Sequence, residues 1–377
     1  MDNKEQFIKN VHDYIHLVAL YLNKQTSDFQ IDDEQLKFFL KLSKHHSLVA
    51  LLYKAIKDTG LKVDAEKLKK LEEYYLSVLK KGVLFQQERK ELYAYLNEHQ
   101  IDFLPLKGLV LKDYYFDPYT REFADNDILF DTSNSDKIKK FFTGKGYKVE
   151  AYKKSNHDVY QKKPCFNFEM HRALFQENED YPQYVSYFKD YLKDSPVKEG
   201  FEHQLNKENF YIYFTAHSYK HFYLSGCGIR TLIDYYLYLK NNDLDFVYIN
   251  EQLKKLDLLE FSHQIANLSI KVFDNEPLTK NEEEMLLFIA SSGTYGTLEN
   301  RVNKGVKEKG KFGYFMSRVF PPYSFYKSAY PWAYKTIILI PIAWMCRLFR
   351  IIFKNPKRAH QELKMINKTK KENQKEN

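Results

Sequence analysis

Two aspartates and a glutamate stand out for where they fall. Asp125 and Asp127 lie two residues apart at the entry to the apolar run Ile128-Leu129-Phe130. On a strand, residues i and i+2 share a face about 6–7 Å apart, so both carboxylates would point the same way and could converge on a hard divalent cation such as Mg2+. In Phe166-Asn167-Phe168-Glu169-Met170-His171 apolar and polar residues alternate, which puts Glu169 on the polar face of a later strand as a third carboxylate. Upstream, the run Ile101–Leu106 ends in Lys107-Gly108 and then GLVLKDYYF, which reads as helix. A strand that delivers a lysine and a glycine to a helix start gathers free N–H groups and the positive helix end, and the missing Cβ lets a phosphate approach. Asp-Asn-Asp also suits a turn or a helix cap, and Lys-Gly pairs are common. The informative feature is the order: strand, glycine, helix, paired acids on a strand, a further acid on a later strand.

His217 and His221 are four apart on a helical pattern and could share a metal, but the adjacent Glu of a His-Glu-x-x-His site is missing. The alternative is a helix face against the sheet, its histidines hydrogen-bonded or lining a cleft. Asp234, on the next helical pattern, would cap or pair with one of them. His171 would donate a hydrogen bond near Glu169 or serve as a plain strand residue. The Tyr114-Tyr115 pair suits core packing better than a stacking platform. Cys165, Cys227 and Cys346 are too dispersed for a zinc ribbon or a disulfide framework, and no Cys/His/Asn nucleophile arrangement is legible, so they read as packing cysteines in a reducing compartment.

These residues need elements to hold them. Residues 5–98 repeat apolar positions at three- and four-residue spacing, which predicts three or four helices over 1–98. A mixed region over 99–180 follows: NDILF (126–130) as strand, SDKIKKFFTGKG as helix, then alternating 147–153, 157–163 and 165–174 as strands. Beyond Tyr181 the pattern over 181–330 is again helical, in KENFYIYFTAHSYKHFYLS, IRTLIDYYLYLK, YINEQLKKLDLLEFSHQIANLSIKVF and NEEEMLLFIASSG. The fold class is therefore α+β, a small mixed sheet with flanking helices between N-terminal and C-terminal helical regions. No fixed-period repeat points to a solenoid. Residues 331–358 predict an amphipathic aromatic and basic helix with Trp332, Trp344 and Phe349 on one side, docked on the protein or lying at a membrane surface. Its apolar run of ten residues, 337–346, is too short to span a bilayer, which takes ~20. The tail, 359–377, is polar and basic and is expected to be disordered.

The segment 103–130 resembles the signature of the uncharacterised bacterial nucleotidyltransferase family of the DNA polymerase beta-like superfamily. The matching residues are Leu106-Lys107-Gly108, Tyr114-Tyr115, Arg121 and Asp125-Asn126-Asp127-Ile128-Leu129, with Glu169-Met170-His171 as the later acid-apolar-His element. His217, His221 and Asp234 are similar to the family's helical pattern of spaced histidines, as are Tyr330-Pro331-Trp332 and Ile340-Pro341-Ile342-Ala343-Trp344 near the C-terminus. The resemblance covers most of the chain, and its specific motifs occupy 105–130 and 167–171. Asn126 departs from it, standing where the family carries an apolar residue. Either the strand begins one residue later or the site is remodelled.

The resemblance implies transfer of a nucleoside monophosphate from an NTP to a hydroxyl of a small molecule, carbohydrate or protein, with release of pyrophosphate. Asp125, Asp127 and Glu169 would hold Mg2+ or Mn2+ and carry catalysis. Lys107, Gly108 and Arg121 would contact the nucleotide, and His171, His217, His221 and Asp234 would line or support the cleft. The alternatives are a catalytically silent nucleotide-binding module, motivated by Asn126, and a membrane-peripheral assembly factor acting through 331–358. Composition limits the rest. A chain with 44% hydrophobic and 16% aromatic residues is not disordered as a whole. Residues 335–377 carry eleven Lys/Arg against three Glu, which accounts for the whole excess of +8, so the body is balanced and offers no nucleic-acid track. No sequence-specific nucleic-acid partner is expected. The N-terminus lacks a secretory pattern, which predicts a cytoplasmic protein with peripheral membrane contact left open.

Overall fold

The computed structural model describes residues 3–122, 124–176, 181–294 and 296–321, and of the remainder 323, 325–326, 330–334, 336–354, 360–362 and 364–365. Four helices open the chain: α1 (Asn3–Leu22), α2 (Asp33–His46), α3 (Val49–Thr59) and α4 (Ala65–Glu98). Their limits are written in local chemistry. Asp32 and Gln35 form a capping box at the start of α2, and the Asp64 carboxylate accepts from Lys67 N–H at the start of α4. In α1, Val11, Tyr14, Ile15 and Val18 are buried, the i, i+3, i+4, i+7 stripe that drives a helix onto a core.

The sheet region comprises β1 (Phe103–Pro105), α5 (Gly108–Leu111), β2 (Asn126–Phe130), α6 (Ser135–Gly144), β3 (Lys148–Ala151), β4 (His157–Lys162) and β5 (Phe166–His171). Next come α7 (Pro182–Tyr187), α8 (Tyr191–Asp194), β6 (Val197–Glu199) and β7 (Glu202–His203). Seven strands form one mixed sheet in the order β3-β4-β5-β2-β1-β7-β6, with β2–β5 and β1–β7 parallel and the other pairs antiparallel. One face carries Phe103, Ile128, Phe130, Tyr160, Phe168 and Met170 against Phe85, Leu92 and Leu96 of α4 and Ile138 and Phe142 of α6. Each such side chain removed from water contributes about 1.5–3 kcal/mol. The other face carries Leu104 and Leu129 into a second core shared with the N-terminal and C-terminal helices. Residues alternate between the faces, so Asp127, Glu169 and His171 emerge on this second side.

The C-terminal part contains α9 (Lys207–Ser225), α10 (Ile229–Asn241), α11 (Phe246–Lys255), α12 (Leu259–Phe273), α13 (Lys280–Ser292), α14 (Leu298–Val319, interrupted at Gly310), α15 (Pro331–Tyr334) and α16 (Ile340–Lys354). Among the described residues no helix is long and apolar enough to cross a membrane.

Several local expectations are corrected. Residues 197–203 form a hairpin of strands, not helix: three residues are too few to show a period, and long-range bonds hold them, Phe103 N–H to Phe201 O at 3.0 Å and Phe201 N–H to Asn97 Oδ1 at 2.7 Å. The helix after Gly108 is one turn plus a 3-10 turn over Lys112–Tyr114, because Tyr115 turns extended (ψ 140°) to reach Asp234 at 2.7 Å. The run 248–273 breaks at Asp257, whose φ is +57°. The segment 331–354 is divided among α15, a 3-10 turn at Ile337–Leu339 and α16. Trp344 and Phe349 do not share a side: Trp344 Nε1 donates to Val319 O at 2.9 Å, whereas Phe349 is 58% exposed. Most of the tail 359–377 lies outside the described residues; within it, Glu362 accepts from Tyr314 and Arg318.

Candidate active site

The parallel pairing of β2 with β5 sets Asp127 directly beside Glu169. Asp125 immediately precedes β2. The three carboxylates open into a cavity of about 290 Å3 between the sheet and α9–α10. Lys107, Gly108 and Arg121 line its sheet side, His217 and His221 of α9 and Asp234 of α10 the opposite side. Of the ten candidate catalytic, nucleotide-contacting and cleft residues read from the sequence, His171 alone is absent from this lining. It stands 3% exposed, its Nε2 2.7 Å from Asp127 Oδ1 and 4.0 Å from Glu169 Oε2, so its hydrogen bond goes to Asp127 and not, as expected, beside Glu169.

Asp127 is the electrostatic hub. Lys107 Nζ donates to its Oδ1 at 2.9 Å, and burial, which alone would raise the carboxyl pKa, is outweighed by Lys107 and His171, so Asp127 stays ionised. The same attraction overcomes burial at Lys107 and holds its ammonium pKa above the ordinary value. Asp125 and Glu169 are different. Among the described residues no donor reaches either carboxylate within 3.5 Å. Burial, then the charge of Asp127, raises Asp125. Burial, then Asp127 and Asp125, raises Glu169 to about 7. Two carboxylates without donors beside a third that is ionised form a donor set that a divalent cation would satisfy. The residues therefore fit such an ion.

The glycine has a structural reason. A Cβ on Gly108 would lie 2.4 Å from Arg121 Nη1. That guanidinium could swing away only by giving up Asp234, which Nε and Nη2 hold at 2.7 and 2.8 Å. Asp234 thus pairs with Arg121 and Tyr115, correcting the expected link to a histidine, and Arg121 is largely committed to bracing the wall. Lys107 carries a positive φ of +45°, a conformation costly for a residue with a Cβ, as the chain turns from β1 into α5. With α5 only one turn long, a helix dipole contributes little at this point.

Asn126 lies inside β2, fully buried, its Oδ1 accepting from Arg89 Nη1 of α4 at 2.8 Å. The strand does not begin one residue later. Asn126 points to the α4 side, while Asp127 occupies the cavity side.

The histidines are neutral at pH 7. Burial, then Lys107, puts His217 well below its ordinary value and His221 at about 4; their Nε2 atoms are 3.3 Å apart. His157 was not singled out in the sequence. Cross-strand pairing places it opposite His171, and Nε2 lies 3.8 Å from Glu169 Oε2. His157, Glu169 and His171 present ligand atoms within 4.8 Å of one another. Only strand register reveals this neighbour. Arg230, which also lines the cavity, was missed too, although a cation in the first turn of α10 opposes the helix dipole and was a usable signal.

No curated protein and no solved structure matches this chain. A family model described as an uncharacterised nucleotidyltransferase matches residues 32–274, a span that takes in α2 through α12 and every residue of the cavity discussed above. The chain belongs to this family of uncharacterised nucleotidyltransferases.

Proposed function

We propose that the protein moves a nucleoside monophosphate from an NTP to an acceptor hydroxyl, with Asp125, Asp127 and Glu169 as the catalytic and metal-holding carboxylates. One observation carries the reading: three acids from two separated segments share one cavity wall, and among the described residues no donor reaches two of them within 3.5 Å. A bound Mg2+ or Mn2+ would neutralise charge developing on the phosphates. Glu169 accepts the proton of the acceptor hydroxyl as that hydroxyl oxygen bonds to the α-phosphorus and the bond to pyrophosphate breaks. Asp127 stays ionised under the grip of Lys107, which lines the cavity beside Gly108. Arg121 braces that turn through Asp234. The neutral imidazoles of His217 and His221 offer an acceptor-side wall without adding charge.

A silent binding module drew its motive from Asn126. That residue is satisfied by Arg89 on the far side of the sheet, which leaves the flanking aspartates on their own side. The test is incubation with each α-labelled NTP and Mg2+ or Mn2+, scoring label on the protein and on extract metabolites. Asp125→Asn removes a group that has no hydrogen-bond partner among the described residues, so it should abolish transfer with the fold intact. A purified Asp125→Asn protein with normal transfer would sink the assignment.

We propose further that α16, with the 3-10 turn before it, contacts an anionic lipid surface. Ile338, Ile342, Met345, Phe349 and Phe353, spaced by three and four residues, are 51–80% exposed, while Ala343 and Trp344 dock on the protein and Arg350 adds exposed positive charge.

A further inference from the structure

A second cavity, of about 300 Å3, shares Leu109 with the first and opens beside β1, α4 and α9. Arg89 reaches it from the middle of α4 and is 7% exposed. Of its five N–H groups, Nη1 is taken by Asn126, and among the described residues no carboxylate lies within 4 Å of the guanidinium. Buried charges are ordinarily paired, because an uncompensated one is costly. Lys112 lines the same cavity with 19% side-chain exposure, and Lys207 closes it from the start of α9. Burial, then the charge of Arg89, pulls the Lys112 ammonium below its ordinary value, so the two cations repel. The nearby acids answer that charge only in part: Glu202 is paired with Lys198 at 2.9 Å, Asp113, 70% exposed, stands 3.8 Å from Lys112, and Lys207 donates to the Asp243 carbonyl with Glu208 at 3.8 Å, which leaves Arg89 without a carboxylate in contact among the described residues.

We propose that this cavity binds a phosphate-type oxyanion, with Arg89 as the buried recognition group and Lys112 and Lys207 closing on it. A planar guanidinium fork flanked by ammonium groups suits a multiply charged oxygen cluster, and the volume is that of a small-molecule site. The site is separate from the acidic cavity yet joined to it by one hydrogen bond, since the Asn126 that holds Arg89 sits between Asp125 and Asp127. The proposal goes beyond the transfer reading and stands without it.

The full-length protein in EDTA is titrated calorimetrically with inorganic phosphate, pyrophosphate and acetate at fixed ionic strength. One saturable site for phosphate or pyrophosphate is expected, with acetate at least tenfold weaker. Lys112→Gln and Lys207→Gln should each weaken it about tenfold, and Arg89→Gln should remove it, with circular dichroism checking the fold because Asn126 loses its donor. Arg230→Gln, which strips a cation from the first cavity, should leave binding unchanged. Absence of saturable binding, equal binding of acetate, indifference to the two lysine variants, or loss in Arg230→Gln would each overturn the proposal.

Discussion

Replacing Glu169 by Gln removes a carboxylate that the metal-free fold ionises reluctantly. Its pKa is about 7 in the folded protein against an ordinary 4.5. The folded chain thus holds the proton longer than the unfolded chain, and stability falls as pH rises between those values. A gap of ~2.5 units at ~1.36 kcal/mol each sets a ceiling on the order of 3–4 kcal/mol. With 22% of the side chain exposed, solvent takes part of that, leaving about 2–3 kcal/mol. Glu169→Gln should therefore raise the melting temperature in EDTA at pH 8.5 by on the order of 5 °C. At pH 4.5, where Glu169 is protonated in the fold, the difference should nearly vanish. Calorimetric scans of both proteins at the two pH values, repeated with Mg2+, provide the measurement. Wild type should gain stability from the ion at pH 8.5 and the variant much less. A variant no more stable than wild type at pH 8.5, or a gap equal at both pH values, would refute the argument that three crowded carboxylates strain the site.

Other outcomes follow from neighbouring contacts. Gly108→Ala should cost about 1–3 kcal/mol in thermal unfolding, because the new Cβ forces Arg121 off Asp234; an unchanged melting temperature would mean the guanidinium has room to move. Two imidazoles near Glu169 favour transition metals over Mg2+, so His157→Ala should weaken Mn2+ binding about tenfold in calorimetric titration and Mg2+ binding by less than about threefold. Equal losses for both ions would remove His157 from the ligand set. Phe349→Ser with Phe353→Ser should abolish co-sedimentation with anionic vesicles at low salt, and wild-type protein that never sediments would end the membrane proposal.

The element types over 126–171 were legible because strand and helix periods differ: Ile128 and Phe130 must be buried together, and so must Phe166, Phe168 and Met170. The acids of β2 and β5 could be placed on polar faces by the same alternation. Short elements escaped it. The 197–203 hairpin exists through its bonds to β1 and α4, which no local pattern encodes, and the helix after Gly108 stopped early because Tyr115 was drawn to Asp234, more than a hundred residues away.

Sequence alone determined which residues carry charge, which alternate, and where Asp125 and Asp127 share a side, since these depend on neighbours in the chain. Tertiary structure decided the pairings. It set Asp127 against Glu169 by strand register, assigned Asp234 to Arg121, placed His157 opposite His171, and gave Asn126 to a buried arginine from α4. Such contacts join residues from 14 to 113 positions apart, so they arise only when packing brings separate segments to within a few ångströms, and the ionisation of each acid depends on which of them surrounds it.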